Sequence, residues 1–364
     1  MSAEVHETLN EAAPDAEPLE AGRTTVSSEA HPAVLILRGL SPKNVSAVYV
    51  LILIIIVFSF WAPDTFPQFA TVRQVLNSNA VVGLAALSLA IPLSARVFDL
   101  SFAYTMSLTG VTTAHFVASS NWPLPAAVAI ALGVALLVGL INAIVVVVMR
   151  VDSMIGTLAT GSIIQAFITF VTGDTSIISG KLYGGFSEIG QTTRFGFILP
   201  VYYMLVVALV LWVVLEYTPL GRRIYATGFN TEAARLSGIR TKRIQFCSLL
   251  ASAFIAGIAG ISLSSILGSG SPTAGTAYLL PAFAAAFLGA TQIKAGRFNA
   301  WGTILGVITL GAGTTGLALA TAPTWAGNMF TGVVLIAALA VTTVQRKPST
   351  GASLLSRLRG AKGS

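Results

Sequence analysis

Between Tyr217 and Gln245 the chain carries one strongly polar block, TPLGRRIYATGFNTEAARLSGIRTKRI, which holds six of its 21 Lys and Arg residues. Glu232, Ala233, Ala234, Arg235, Leu236 and Ser237 form its centre, closed by Gly238 and Ile239. Asn230 is placed to cap a helix over 231–237 by accepting the amide of Glu232 or Ala233, and Glu232 suits the positive end of that helix's dipole. Gly238 supplies the left-handed residue that ends it. A helix of two turns is marginal alone in water, so something above or below it must hold it. A second set of polar residues lies inside or beside apolar runs: Asn77, Asn79, Asn142, Thr157, Thr160, Ser162, Gln165 and Thr169. Ser162, Gln165 and Thr169 recur at three and four residues and share a helix face. Such a stripe is costly against lipid; it either bonds neighbouring helices or lines a route for solute. Asp99 either caps the helix that follows it or gates that route.

None of these residues forms a catalytic constellation. His115 has no second His or acid at metal-site spacing, and the single cysteine, Cys247, can form neither an intrachain disulfide nor a cysteine metal site. The only Gly-Lys pair, Gly180-Lys181, is followed by Leu182, so the phosphate loop of an ATPase is missing. No catalytic residue, metal, cofactor or nucleic-acid partner is expected, and any ATP hydrolysis belongs to a separate subunit.

The elements that position these residues follow from composition. Hydrophobic residues make up 54% of 364, charged residues 10%, and mean hydropathy is +0.81, whereas soluble domains carry about 25% charge. The chain reads as an all-α, polytopic membrane bundle. Apolar runs near the ~20 residues needed to cross a bilayer fall at about 45–63, 79–95, 101–119, 123–149, 154–172, 195–216, 246–267, 279–293, 298–318 and 325–344. Ten spans put both termini on one side. With those termini cytoplasmic, 18 Lys and Arg fall inside and three outside, as the positive-inside rule requires.

Residues 1–40 hold seven of the 14 acidic residues in their first 29 positions and read as a disordered cytoplasmic tail, without the pattern of a cleaved signal peptide. A transmembrane domain is expected over 41–345, with its polar loop at 218–245, and a basic cytoplasmic tail over 346–364. No Asp, Glu, Lys or Arg falls in mid-bilayer, which counts against a proton-coupled carrier. Pairs of small residues four apart, Ala253 with Gly257, Ala256 with Gly260 and Gly302 with Gly306, predict close helix packing. The basic loop residues also suit anionic lipid headgroups.

The string Glu232-Ala233-Ala234-x-x-x-Gly238 resembles the Glu-Ala-Ala loop of binding-protein-dependent ABC importer permeases. The wider run, from Gly221-Arg222 through Ile224-Tyr225-Ala226, Gly228 and Asn230 to Ile239, resembles their ribose, xylose and galactoside branch. Phe98-Asp99-Leu100-Ser101, Ile155-Gly156-Thr157-Leu158-Ala159-Thr160, Leu288-Gly289-Ala290, Gly296-Arg297 and Trp301 to Gly306 extend that resemblance over most of the chain. Two departures stand out: Phe102, Ala103 and Tyr104 replace glycines usual after the Asp-Leu-Ser turn, and Thr231 replaces a common proline.

The resemblance implies an inner or plasma membrane permease for a monosaccharide, pentose or hexose, or a related polyol. Its implied partners are ABC ATPase subunits, an extracytoplasmic solute-binding protein and a second permease copy or related permease. The coupling residues it implies are Gly221, Arg222, Asn230 and Glu232 through Ile239. Asp99, Asn79, Thr157, Thr160, Ser162, Gln165 and Thr169 are the pathway candidates. Three alternatives remain open: a self-sufficient secondary carrier, a membrane anchor or channel that scaffolds a cytoplasmic partner without transport, and a permease for nucleosides or an autoinducer sugar.

Overall fold

The computed structural model describes residues 46–346 other than 120–121 and 292–295. The expected tails over 1–40 and 346–364 lie outside the described residues, apart from Arg346. In order come α1 (Ser46–Trp61), α2 (Phe69–Ser94), α3 (Phe102–Ala118), α4 (Leu124–Ala143) with a π turn at Ile144–Val148, α5 (Ser153–Thr172) and α6 (Gly185–Gln191). A two-stranded hairpin, β1 (Thr193–Arg194) with β2 (Phe197–Ile198), precedes α7 (Leu199–Tyr217). Then follow α8 (Pro219–Phe229), α9 (Thr231–Leu236), α10 (Thr241–Leu267), α11 (Leu279–Ala290), α12 (Ala300–Leu319) and α13 (Thr324–Arg346).

Among the described residues, seven helices are long and apolar enough to cross a membrane: α2, α4 with its π turn, α5, α7, α10, α12 and α13. Each of the ten expected runs coincides with a helix, but α1, α3 and α11 have 16, 17 and 12 residues. At 1.5 Å per residue, α11 covers about 18 Å of a ~30 Å hydrocarbon core. The structure thus gives seven helices of spanning length where ten were expected.

Two boundaries differ for physical reasons. Helix α2 begins ten residues before the expected 79, because Arg73, Gln74, Asn77 and Asn79 break the apolar run but not the helix. Asn77 uses both ends of its amide on the hairpin, donating to the Gly196 carbonyl (3.2 Å) and accepting from the Ile198 amide (3.1 Å). Phe195 and Gly196 both have positive φ, as a two-residue hairpin turn requires. The polar loop at 218–245 is itself mostly helical, being occupied by α8, α9 and the first turn of α10.

The core gathers around α2, α10 and α12, the most enclosed of the spanning helices. Helix α10 packs on α2, α3 and α4, and α12 on α2 and α11. The small-residue pairs explain how. A Cβ at Gly260 would lie 2.1 Å from the Met106 carbonyl oxygen, and one at Gly306 would lie 2.3 Å from that of Ala285. Gly302 and Gly289 meet across α12 and α11 in the same way. These faces bring backbone against backbone, where dispersion contacts accumulate in place of a hydrophobic drive.

Candidate functional site

The polar block folds as a helix pair hinged on Asn230. The Thr218 hydroxyl accepts the Gly221 amide (3.3 Å) and Pro219 occupies the first turn, so α8 starts where a missing N–H costs nothing. Asn230, extended at φ −151°, closes α8 and opens α9. Its Oδ1 accepts the amides of both Glu232 (3.1 Å) and Ala233 (3.0 Å). Ser237 follows the last helical residue. The Gly238 amide donates to the Arg235 carbonyl and the Ile239 amide to that of Ala234, with Gly238 at φ +84°. Those two bonds around a left-handed glycine satisfy carbonyls left free at the helix end.

What α9 presents is a polar face with one apolar tip. Glu232 and Arg235 pair with each other, both exposed, a contact that solvent screens strongly. Leu236 is 79% exposed and Phe229 68%. Only Ala234 is buried. A removed cap should show locally. Asn230→Ala is expected to weaken α9 by about 1 kcal/mol, read as roughly fivefold faster hydrogen exchange at the Glu232 and Ala233 amides, with Asn230→Asp retaining the protection. Unchanged exchange in the alanine variant would contradict this capping geometry.

Helix α8 ties this element to the bundle. A Cβ at Gly228 would fall 2.0 Å from the Ser94 carbonyl oxygen, so α8 rests directly on the end of α2. Gly221 approaches the Leu215 backbone equally closely. Tyr225, buried, donates its hydroxyl to the Phe298 carbonyl (2.9 Å), and the Arg297 guanidinium lies 3.8 Å over its ring. Burial, and then nearby Glu216, push the Tyr225 phenol up to about 12 against the opposing pull of Arg297. It therefore stays a donor throughout the physiological range. Next to Phe298, Asn299 caps α12 through the Gly302 amide (2.7 Å). One short run of residues thus joins α8, α2 and α12.

The pathway candidates are placed differently. Asp99 is completely buried in the turn before α3. Its Oδ1 accepts the Ser101 amide (3.0 Å) and hydroxyl (2.7 Å), and its Oδ2 accepts the Ser252 hydroxyl from α10 (2.8 Å). Ser101 in turn accepts from Asn142 Nδ2 of α4 (2.6 Å). The Leu100 amide donates to Thr157 Oγ1 (2.9 Å) and the Phe98 amide to Ser153 Oγ (3.1 Å), fastening the same turn to α5. Asp99 and Thr157 therefore meet at a junction of four helices. Asp99 serves both the turn and the start of α3, whose first amide, that of Phe102, also faces it.

The other candidates do not join them. Thr160 bonds the Gly156 carbonyl and Asn79 the Val75 carbonyl, each within its own helix. Ser162 is exposed on α5 and bonds back to Leu158, whereas Gln165 is half-buried and reaches the Pro272 carbonyl (3.4 Å). Thr169 is half-buried one turn further on. An apolar cavity of about 430 Å³ opens beside the junction, walled by Phe98, Leu100, Phe283, Phe287 and Thr342 among others; no expected pathway residue is in its wall. Sequence reasoning missed Ser252 and the anchoring roles of Gly228, Tyr225 and Arg297. The available signal for Ser252 was its place on the small face Ser248, Ser252, Ala256 and Gly260.

The sequence was compared with known protein families. Residues 71–339 match the family described as branched-chain amino acid transport system / permease component. The chain belongs to this permease family. Within it, the chain is 32% identical over 308 residues to the ribose import permease protein of Escherichia coli K12, covering 82% of this chain and 92% of that one. It is 30% identical over 314 residues to the fructose import permease protein of Rhizobium meliloti, covering 84% and 87%. The xylose transport system permease protein of E. coli K12 is 25% identical, with 85% and 95% covered. No solved structure matches this permease. Membership makes it a multi-pass protein of the cell's inner or plasma membrane, and a transport subunit of the ABC sugar-import group.

Proposed function

We propose that this permease forms the membrane path of an ATP-driven importer for a monosaccharide, pentose or hexose, or a related polyol. An extracytoplasmic binding protein delivers the solute, and a second permease copy or related permease completes the path. ATPase subunits dock on the cytoplasmic face through Gly221, Arg222, Asn230 and the segment Glu232 to Ile239. In this reading all ten helical runs lie within the membrane and both termini are cytoplasmic. The 18-to-three charge asymmetry supports that orientation.

One observation carries the proposal. Helix α9 is capped at both ends, exposes Glu232, Arg235 and Leu236, and follows directly on α8, which seats on the end of α2 through Gly228 and is bonded through Tyr225 to Phe298, just before α12. Such an element can receive a push from outside and pass it to two helices at once. The relatives' names supply the solute class: ribose, fructose and xylose are neutral and hydroxyl-rich, which suits an interior almost free of charge. The test is uptake of labelled monosaccharides into vesicles holding the permease, its ATPase subunits and its binding protein. Uptake should require ATP and both partners. Accumulation driven by an ion gradient with the ATPase subunits omitted would sink the proposal.

A further inference from the structure

A second feature lies beside α8, away from α9. Between α7, α8 and α10 runs an open groove of about 380 Å³ lined by apolar side chains, with Ser248 and Cys247 as the exceptions. Along α10 it is lined by Ile244, Cys247, Ala251 and Ile258, three, four and seven residues apart on one face. Ile244 to Ile258 covers about 21 Å of helix, more than half of a ~30 Å hydrocarbon core. The groove therefore runs the depth of one leaflet.

Its other end is cationic. Continued one turn back, the same face of α10 reaches Arg243, four residues before Cys247, and Arg240, just before the first residue of the helix. Both are exposed, and among the described residues neither pairs with a carboxylate. On α8, exposed Arg223 precedes the groove residue Ile224. An apolar trough one leaflet deep, headed by unpaired guanidiniums, matches one kind of molecule.

We propose that this groove seats an acyl chain of an anionic phospholipid, whose phosphate is held by Arg240 and Arg243. Guanidinium suits phosphate because its planar fork donates two parallel bonds. The trough suits the chain because no polar group in it loses a partner to hydrocarbon. This site is independent of which solute crosses and of whether α9 couples to an ATPase. A bound lipid would brace α8 against α7 and α10.

The sole cysteine, Cys247, stands in the groove and is exposed, so a small fluorophore on it reports what lies there. The labelled permease is reconstituted with equal phosphatidylglycerol and phosphatidylcholine, brominated on the acyl chains of one or the other. Quenching should be stronger with brominated phosphatidylglycerol, and each of Arg240→Gln and Arg243→Gln should lower that preference roughly fivefold. Ala251→Phe, which fills the trough, should reduce quenching by both lipids. Equal quenching by the two lipids in the unsubstituted permease would overturn headgroup selection. No quenching, with Cys247 cross-linking to its counterpart in another copy, would assign the groove to a permease interface and overturn the proposal.

Discussion

Gly228→Ala is expected to release α8 and α9 from the membrane bundle. The added Cβ would meet the Ser94 carbonyl oxygen at 2.0 Å and its carbon at 3.0 Å, both backbone atoms with no rotamer to turn away. Helix α8 would have to rise off the end of α2 by more than 1 Å to restore ordinary contact. The bond from Tyr225 to the Phe298 carbonyl, 2.9 Å long, would stretch with it. Overpacking of this kind costs about 1–3 kcal/mol, and a lost hydrogen bond adds about 1 kcal/mol. Thermal melting of the purified permease should fall clearly, and uptake per folded molecule should fall further, because α9 moves with α8. Gly133→Ala is the matched control: it too is a helix glycine, but a Cβ there meets nothing within 4 Å. A Gly228→Ala permease that melts and transports like the unsubstituted one would remove the contact from the account.

Asp99→Ala has the other large expected effect. The substitution strips one acceptor from three donors: the Ser101 amide, the Ser101 hydroxyl and the Ser252 hydroxyl. Ser252 can turn back to a carbonyl of its own helix, as Thr105, Thr113 and Ser262 do. The Ser101 amide has no such freedom, and an unpaired buried donor costs about 1–3 kcal/mol. Asn142 already carries a buried Oδ1 without a partner, so the network has little slack. Loss of about 3 kcal/mol or more should show as little folded permease in the membrane. Asp99→Asn keeps an acceptor for Ser101 and should cost only about 1 kcal/mol. This pair separates anchoring from gating. An alanine variant with normal folded yield but altered uptake would mean that Asp99 works in the path instead.

What could be read in the sequence was the local part. Asn230, Glu232 and Gly238 lie within one nine-residue stretch, so cap, dipole and left-handed terminus were legible from order alone. Apolar run lengths likewise located ten helices. Lengths failed where a helix outlasts its apolar stretch, as α2 does through Asn77, or where a run is shorter than a crossing, as in α11. Helix α8 was hidden because Gly-Arg-Arg-Ile-Tyr-Ala-Thr-Gly reads as polar loop. Its order comes from Gly221, Ile224, Tyr225 and Thr227, buried against distant helices.

The junction at Asp99 was hidden for the same reason. Asp99 and Ser252 are 153 residues apart, and nothing in either neighbourhood announces the other. The helical stripe of Ser162, Gln165 and Thr169 was visible, but spacing cannot say which side of α5 faces a neighbour. Ser162 stands exposed on this chain. A solute path completed by a second copy would give it a surface to meet.

The central claim is that α9 is where a separate ATPase drives this bundle. It is tested most directly by Leu236→Asp in vesicles containing the complete transporter, with ATP hydrolysis and solute uptake measured together. Leu236 stands largely exposed among the described residues, so the variant should insert and melt normally. The ATPase subunits are expected to detach or to hydrolyse ATP without stimulation by loaded binding protein, with loss of uptake. Full uptake with normally stimulated hydrolysis would contradict it.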